Sequence, residues 1–304
     1  MLEMDYDNKF SYILVTPAKN EEKNLPEVIN SVVSQTILPK VWVVVDDGSI
    51  DRTTEILKTY SEKYNWIKYV RINNIQKNWD VHLNYARVCN IGFSEALKFC
   101  EKFGIKYEYI GLQDADTVVE REYYEKLMRK FIENPKLGIA SGGIYYKTKR
   151  GLIWERTPLD FPRGSGRLWR KNCFFETGGY ALDPAMHTIS NVKAILKGYE
   201  TRQFKEIIAV ELRKTGSSGG YGRRAYKTGT IDYYLYKPFR IVLAKSLYYA
   251  INYPFYPALF YLAGYVSSAI SRSPRITDED IKKHFQSQSL TKTFKKLFLQ
   301  FLER

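Results

Sequence analysis

Cysteine and histidine are both scarce in this chain, with three of each in 304 residues. Cys89, Cys100 and Cys173 are odd in number and show no metal-ligand spacing. That excludes a disulfide framework and leads us to expect the reduced thiols of a cytosolic protein. No Gly-x-Gly-x-x-Gly follows an apolar run, which disfavours a dinucleotide oxidoreductase. There is no internal repeat and no low-complexity tract, and the acidic, polar first ten residues do not read as a signal peptide. Acidic residues are themselves in deficit, 33 against 47 lysines and arginines, for a net charge of +14. The excess is local. Eight basic residues stand against two acids between Tyr145 and Lys171, and nine against three between Arg202 and Arg240. Solvated faces explain such runs, as does attraction to phosphates of a nucleotide or an anionic membrane.

Hydrophobic residues make up 44% of the chain, enough for a substantial core, and their spacing places the motifs. Apolar runs that read as strands fall at Tyr12–Thr16, Val41–Val45, Trp66–Ile72 and Tyr107–Leu112. Helical periodicity falls between them, from about Leu25 to Gln35, from the Ser49/Asp51 cap toward Lys63, and from about Leu83 to Phe103. A further helix is expected over Glu122–Glu133. Alternating β and α with short connections predicts a doubly wound sheet. Beyond Gly138 the pattern loosens. Strands are expected at Ile139–Tyr146 and Leu152–Trp154, a basic glycine-rich loop at 163–167, and a helix from Thr188 to Leu196.

Three acidic loops follow three of the strands: Pro17-Ala18-Lys19-Asn20-Glu21-Glu22, Asp46-Asp47-Gly48-Ser49 and Asp114-Ala115-Asp116. In an open α/β sheet, ligands bind beyond the carboxyl ends of the strands. Two carboxylates one residue apart at a strand end suit a hard divalent ion, Mg²⁺ or Mn²⁺, shared with substrate phosphates. Each loop alone has a plain structural reading, as a turn, a helix cap or an acid at the positive end of a helix. All three in this order are a far more specific signal.

Together with Thr177-Gly178-Gly179-Tyr180, these motifs resemble the family 2 glycosyltransferases of the GT-A fold, over roughly residues 11 to 215. The resemblance implies a doubly wound, mostly parallel α/β sheet, a nucleoside-diphosphate-sugar donor, a divalent metal and an inverting displacement at the anomeric carbon. It implies that Pro17, Ala18, Asn20 and Glu21 line the nucleoside pocket, with Asp46 or Asp47 on the base. Asp114 would lie near ribose or metal, Asp116 would hold the metal, and the Gly178-Gly179 loop would face the acceptor. UDP is favoured over GDP. In one respect the chain departs from the family. Where members usually carry a carboxylate base, before a Gly-Tyr or Gly-Trp pair, this chain has Met186 and His187 ahead of Gly198-Tyr199. His187, Asp183 or neither is the base, and a phosphate acceptor would need none. Arg163, Arg167, Arg170, Arg223 and Arg224 suit an anion or acceptor site, or plain surface charge. His82 and His284 read as structural or surface residues, and Trp79 and Asp80 as the edge of the donor pocket.

From Ser246 to Ser271 no residue is charged, and six tyrosines and two prolines interrupt this run of 26 residues. It exceeds the roughly 18–20 residues needed to span a bilayer but is poorly apolar. A span, an interfacial helical pair and packing on the globular part all remain open. A final helix carries Leu290, Phe294, Leu297, Phe298, Phe301 and Leu302 at helical spacing among Lys292, Lys295 and Lys296, the composition of a membrane-surface helix. The expected organisation is therefore a catalytic domain over 1–240, a membrane-associated appendage over 241–271 and a linker with basic helix over 272–304. It implies a peripheral, monotopic or single-span protein on the cytosolic face of the membrane, acting on a lipid-linked acceptor. Two readings compete: a sugar nucleotidyltransferase on the same fold, and a non-catalytic nucleic-acid-binding protein. The latter is disfavoured because bare acidic loops repel phosphates.

Overall fold

A computed structural model of the chain describes residues 9–72, 81–149, 151–155, 157–213, 220–251 and 254–302. It divides into two compact units, Met1–Arg213 and Lys214–Arg304. The division falls ahead of the boundary expected near residue 240.

Among the described residues, the first unit is built on a nine-stranded sheet. Its strands are β1 (Tyr12–Ala18), β2 (Val41–Asp46), β3 (Ile67–Arg71), β4 (Tyr109–Leu112), β5 (Thr117–Val119), β6 (Leu137–Thr148), β7 (Gly151–Trp154), β8 (Arg167–Arg170) and β9 (Glu200–Glu211). Their spatial order is β3-β2-β1-β4-β8-β6-β9-β5, with β7 pairing β6. Neighbours from β3 to β4 run parallel, β8 enters antiparallel between β4 and β6, and β6 and β9 are parallel. The chain winds outward from β1 to β3, then returns to place β4 on the other side of β1. The β1/β4 junction is thus a topological switch point, where open α/β sheets bind ligands.

Sequence alternation explains the layering. Along β2, Trp42 and Val44 face one core while Val41, Val43 and Val45 face the other. The first core is closed by α1 (Leu25–Val33), α2 (Thr53–Lys63) and α4 (Tyr123–Glu133) through Ile29, Leu57, Leu127 and Phe131. The second is closed by α3 (Val81–Phe103), α5 (Lys171–Glu176) and α6 (Met186–Leu196) through Phe93, Phe174 and Met186. A strand buried on both faces reads as one continuous apolar run, which is why β2 was plain in the sequence. All three cysteines are buried and free.

The second unit is helical: α7 (Gly220–Tyr234), α8 (Phe239–Ala250), α9 (Pro257–Ile270), α10 (Glu279–Gln286) and α11 (Leu290–Leu302). The α7–α9 crossing is close because it rests on two glycines. A Cβ on Gly229 would lie 2.0 Å from the Tyr261 carbonyl oxygen, and one on Gly264 would lie 2.0 Å from that of Tyr226. Beside the crossing, buried Asp232 is held by Lys237 at 2.6 Å, Lys245 at 2.5 Å and the Tyr261 hydroxyl at 2.6 Å. The uncharged run 246–271 is not one helix; it is shared between α8 and α9. Among the described residues no helix is long and apolar enough to cross a membrane.

Candidate functional site

The loop after β1 is locked to the loop after β2. Asn20 takes a left-handed φ of 56°. Its amide donates to Ser49 Oγ at 2.9 Å, and its side-chain oxygen accepts from the Ile50 amide at 2.9 Å. The Glu21 amide donates to Thr53 Oγ1 at 2.7 Å. Pro17 and Ala18 lie opposite Val45 and Asp46 in the β1–β2 ladder. Thus Asn20 and the Glu21 backbone join the two loops.

Asp46 and Asp47 have different surroundings. Asp46 is fully buried; its carboxylate accepts from the Ser49 amide at 2.8 Å and the Thr54 hydroxyl at 2.7 Å, with Arg71 at 3.7 Å. Asp47 accepts from Lys19 Nζ at 3.1 Å and Asn84 Nδ2 at 2.8 Å, with Arg87 at 3.8 Å.

The Asp114–Asp116 turn is braced from below. Gln113 donates to the Thr117 carbonyl at 2.7 Å and accepts from the Tyr124 hydroxyl at 2.5 Å. The Asp114 amide donates to Ser165 Oγ at 3.0 Å, and its carboxylate accepts from the Tyr85 hydroxyl at 2.5 Å. Burial, reinforced by the nearby Asp116 charge, pushes the Asp114 carboxyl up to about 7. Asp116 accepts from Arg213 Nη2 at 3.0 Å and Nε at 3.1 Å. The same guanidinium bonds Glu21 Oε1, whose carboxyl is raised by burial. Arg213 therefore draws Glu21 and Asp116 to one cation, although they lie far apart in the chain.

His187 stands in the first turn of α6, half-buried. Its Nδ1 is 3.1 Å from the Tyr180 hydroxyl, and its ring meets the edge of Tyr85, with centroids 5.9 Å apart. Gly164 is glycine for room: a Cβ there would lie 2.4 Å from His187 Cε1 and Nε2. Tyr85 thus touches both the Asp114 carboxylate and the His187 ring. Asp183 accepts from the Ala185 amide at 2.7 Å, a turn just before α6.

The arginines expected to bind anions are placed otherwise. Arg167 is fully buried and donates to the carbonyls of Arg163 at 2.8 Å and Pro162; burial lowers its guanidinium to about 10. Arg170 donates to the carbonyls of Leu137 at 3.1 Å, Phe131 at 2.7 Å and Asn134 at 3.2 Å. These two guanidiniums satisfy backbone acceptors. Arg163 pairs with Glu155 at 2.7 Å. Arg223 and Arg224 are exposed on α7, in the second unit. Gly178 and Gly179, both at positive φ, close α5 with amide bonds to the Phe175 and Phe174 carbonyls. Trp79 and Asp80, and the side chain of His82, lie outside the described residues. Half-buried His284 is edge-on to Phe285, and burial lowers its pKa. Sequence reading missed Tyr85, Tyr180, Ser165, Asn84 and Arg213.

Two carboxylates on one turn form a donor set that a divalent ion completes with phosphate oxygens. Among the described residues no cluster of three or more metal-ligating side chains occurs, so phosphate or water would supply the remaining positions.

The pattern of Glycosyl transferase family 2 matches residues 13–197, more than half of the chain. The chain belongs to this family. Among curated relatives, it is 26% identical over 199 residues to the poly-beta-1,6-N-acetyl-D-glucosamine synthase of Staphylococcus epidermidis RP62A, covering 63% of this chain and 42% of that protein. The Staphylococcus aureus COL protein of the same name is 24% identical over 199 residues, with the same coverages. The chain thus spans less than half the length of these relatives. Among solved structures, S. aureus TarS 1–349 in complex with UDP-GlcNAc superposes with a TM-score of 0.51 at 18% identity, covering 73% of this chain and 65% of that one. The mannosyltransferase PcManGT from Pyrobaculum calidifontis, in complex with GDP-Man and Mn²⁺, gives 0.51 at 13% identity, covering 96% and 74%. These likenesses establish a GT-A-like α/β fold.

Proposed function

We propose that this protein transfers a sugar from a nucleoside-diphosphate sugar to a saccharide or lipid-linked acceptor, with inversion and with a divalent metal. The observation that carries this reading is the convergence of Asp47, Asp114, Asp116 and Arg213 beyond the strand ends around the switch point. Asp47 is the base reader. Its carboxylate is already turned toward donors at the β2 edge, whereas Asp46 is consumed by its own loop. UDP is the favoured nucleotide and GDP the alternative, since one structural neighbour carries UDP-GlcNAc and another GDP-Man. Asp114 and Asp116 hold the metal, which when bound offsets the charge that develops on the departing diphosphate. Tyr85 and Ser165 fix the turn that presents them. His187 takes the acceptor proton, with Tyr180 holding Nδ1 so that Nε2 is turned toward Gly164 and the acceptor side. A lipid-linked acceptor fits the exposed apolar helices of the second unit.

Titration calorimetry with UDP and GDP, each with and without Mn²⁺, tests the reading on wild type and Asp116→Ala. Wild type should bind one diphosphate far more tightly with Mn²⁺, and Asp116→Ala should lose that enhancement. A wild-type protein that binds neither nucleotide, or an unchanged Asp116→Ala, defeats the assignment.

A further inference from the structure

The helices α8 and α9 both turn apolar stripes outward, and α9 is inside-out. On α8, the exposed positions after Arg240 are Leu243, Leu247 and Ala250, followed by Ile251. On α9 they include Leu259, Ala263, Val266 and Ile270, one stripe at i, i+4, i+7 and i+11. Neither stripe carries a polar residue. On α9 the polar groups face inward instead: Tyr261 and Tyr265 are buried, Ser268 bonds the Gly264 carbonyl at 2.9 Å, and Tyr265 donates to the Lys237 carbonyl at 2.9 Å. A helix at a water boundary shows the reverse pattern, with its apolar stripe toward the core.

The pair forms an antiparallel hairpin. Tyr249 packs on Tyr261 near the turn, with centroids 5.4 Å apart, and Phe239 on Tyr265 at the open end, 5.9 Å apart. Exposed aromatics, Phe255 and Tyr256, occupy the turn. Exposed cations sit at the other end, Arg240 opening α8 and Arg272 just beyond α9. The helix α11, with exposed Lys292 and Lys295 and exposed Phe294, packs along α8. Residues 214–304 hold fifteen lysines and arginines against five acids. A second copy of so basic a unit would repel this one, whereas an anionic surface attracts it. At about 1.5 Å per residue, helices of 12 and 14 residues fall short of a bilayer core of about 30 Å.

We propose that the outer face of the α8–α9 hairpin seats on an anionic lipid bilayer. Leu243, Leu247, Leu259 and Ile270 enter the acyl boundary, while Arg240, Arg272, Lys292 and Lys295 lie among the phosphates. The hairpin lies on or dips into one leaflet and does not span it, the mode of a monotopic protein. This inference stands on the second unit alone and is independent of the donor chemistry.

Flotation of the full chain with vesicles tests it, using phosphatidylglycerol mixed into phosphatidylcholine against phosphatidylcholine alone, at low and high salt. Wild type should float with the anionic vesicles, and more weakly with neutral ones. Salt should weaken the binding without abolishing it, because screening removes only the electrostatic part. Leu247→Glu combined with Leu259→Glu alters two positions 61% and 72% exposed. This variant should bind at least about tenfold more weakly with unchanged circular dichroism and nucleotide affinity. Wild type remaining unbound on every vesicle overturns the proposal, as does a folded double variant that floats like wild type. A wild-type dimer that the double variant dissociates, without vesicle binding, would assign the face to a second copy. If the double variant misfolds, the wild-type comparison across lipids and salts still decides.

Discussion

Asp47 keeps its carboxylate between Lys19 and Asn84 at the edge of β2, whereas Asp46 turns inward to the Ser49 amide and the Thr54 hydroxyl. Sequence alone left the two interchangeable, because adjacent residues at a strand end differ only in the face they take. Asp47→Asn is expected to weaken the cognate nucleoside diphosphate by about 1–3 kcal/mol, the cost of a lost partner in a buried hydrogen bond. Its melting temperature should hardly move. Asp46→Asn should do the opposite, lowering the melting temperature while sparing the affinity of folded protein. Paired calorimetry and melts decide, and a reversed pattern would exchange the roles. For His187, the expected outcome of substitution by alanine is a loss of turnover that exceeds the loss of donor affinity, with the low-pH limb of the pH–rate profile altered. Survival of turnover alongside an inactive Asp183→Asn would move the base to Asp183. Survival in both would point to a phosphate acceptor. The Asp-x-Asp pair was legible because strand, turn and carboxylates are contiguous. Tyr85 was not, since nothing in the pattern of α3 says that one tyrosine faces Asp114.

At the scale of elements, the parallel strands β1–β4 were readable, as were β6 and β7 in the mixed half, whereas β5, β8 and β9 were not. β1, β2 and β4 are apolar runs closed by turn residues. β8 carries arginine at both ends, Arg167 and Arg170, and follows directly on the basic loop expected at 163–167. It is a strand because its backbone pairs with β4 and β6, and Arg170 finds the carbonyls of Leu137, Phe131 and Asn134 far away in sequence, which no local pattern reveals. β9 was missed because charged residues interrupt its apolar positions. The second unit hides a comparable feature in Asp232, whose partners Lys237 and Lys245 lie on the α7–α8 connection and on α8. These two lysines hold its carboxyl well below the ordinary carboxylate range against the opposing effect of burial. A carboxyl with a lower folded than unfolded pKa gives stability that is complete above about pH 4 and is lost as acid titrates it in the folded state. Amide exchange across α7–α9 should therefore accelerate below about pH 4. Asp232→Asn, which leaves two lysines without their counter-charge, should cost about 3–5 kcal/mol at neutral pH. It should also flatten the acid dependence. An Asp232→Asn protein with wild-type exchange at both pH values would show that the ion cluster contributes nothing to the unit.

At the scale of the whole molecule, the question is where the donor-binding unit ends. Charge and composition change most visibly near residue 240, and sequence reading drew the boundary there. The structure separates the chain at Arg213 instead, since α7 is tied to the helices that follow it. Gly229 and Gly264 allow the α7–α9 crossing, Asp232 on α7 pairs with Lys245 on α8, and Tyr233 packs on Tyr265 with centroids 5.6 Å apart. Truncation after Arg213 keeps all nine described strands, the Asp114–Asp116 turn and the Arg213 bridge to Glu21 and Asp116. Truncation after Arg240 keeps α7 but removes α8 and α9, leaving Ala225 and Tyr233 uncovered and Asp232 without Lys245. An exposed apolar face of that kind promotes association. A chain of residues 1–213 is therefore expected to be monomeric, to melt in one cooperative transition and to bind nucleoside diphosphate with Mn²⁺ as the full chain does. A chain of residues 1–240 should be less soluble and should self-associate on gel filtration. Calorimetry and gel filtration on the two truncations provide the check. If 1–240 is the well-behaved species and 1–213 unfolds, α7 belongs to the donor-binding unit, and the boundary near 240 is the physical one.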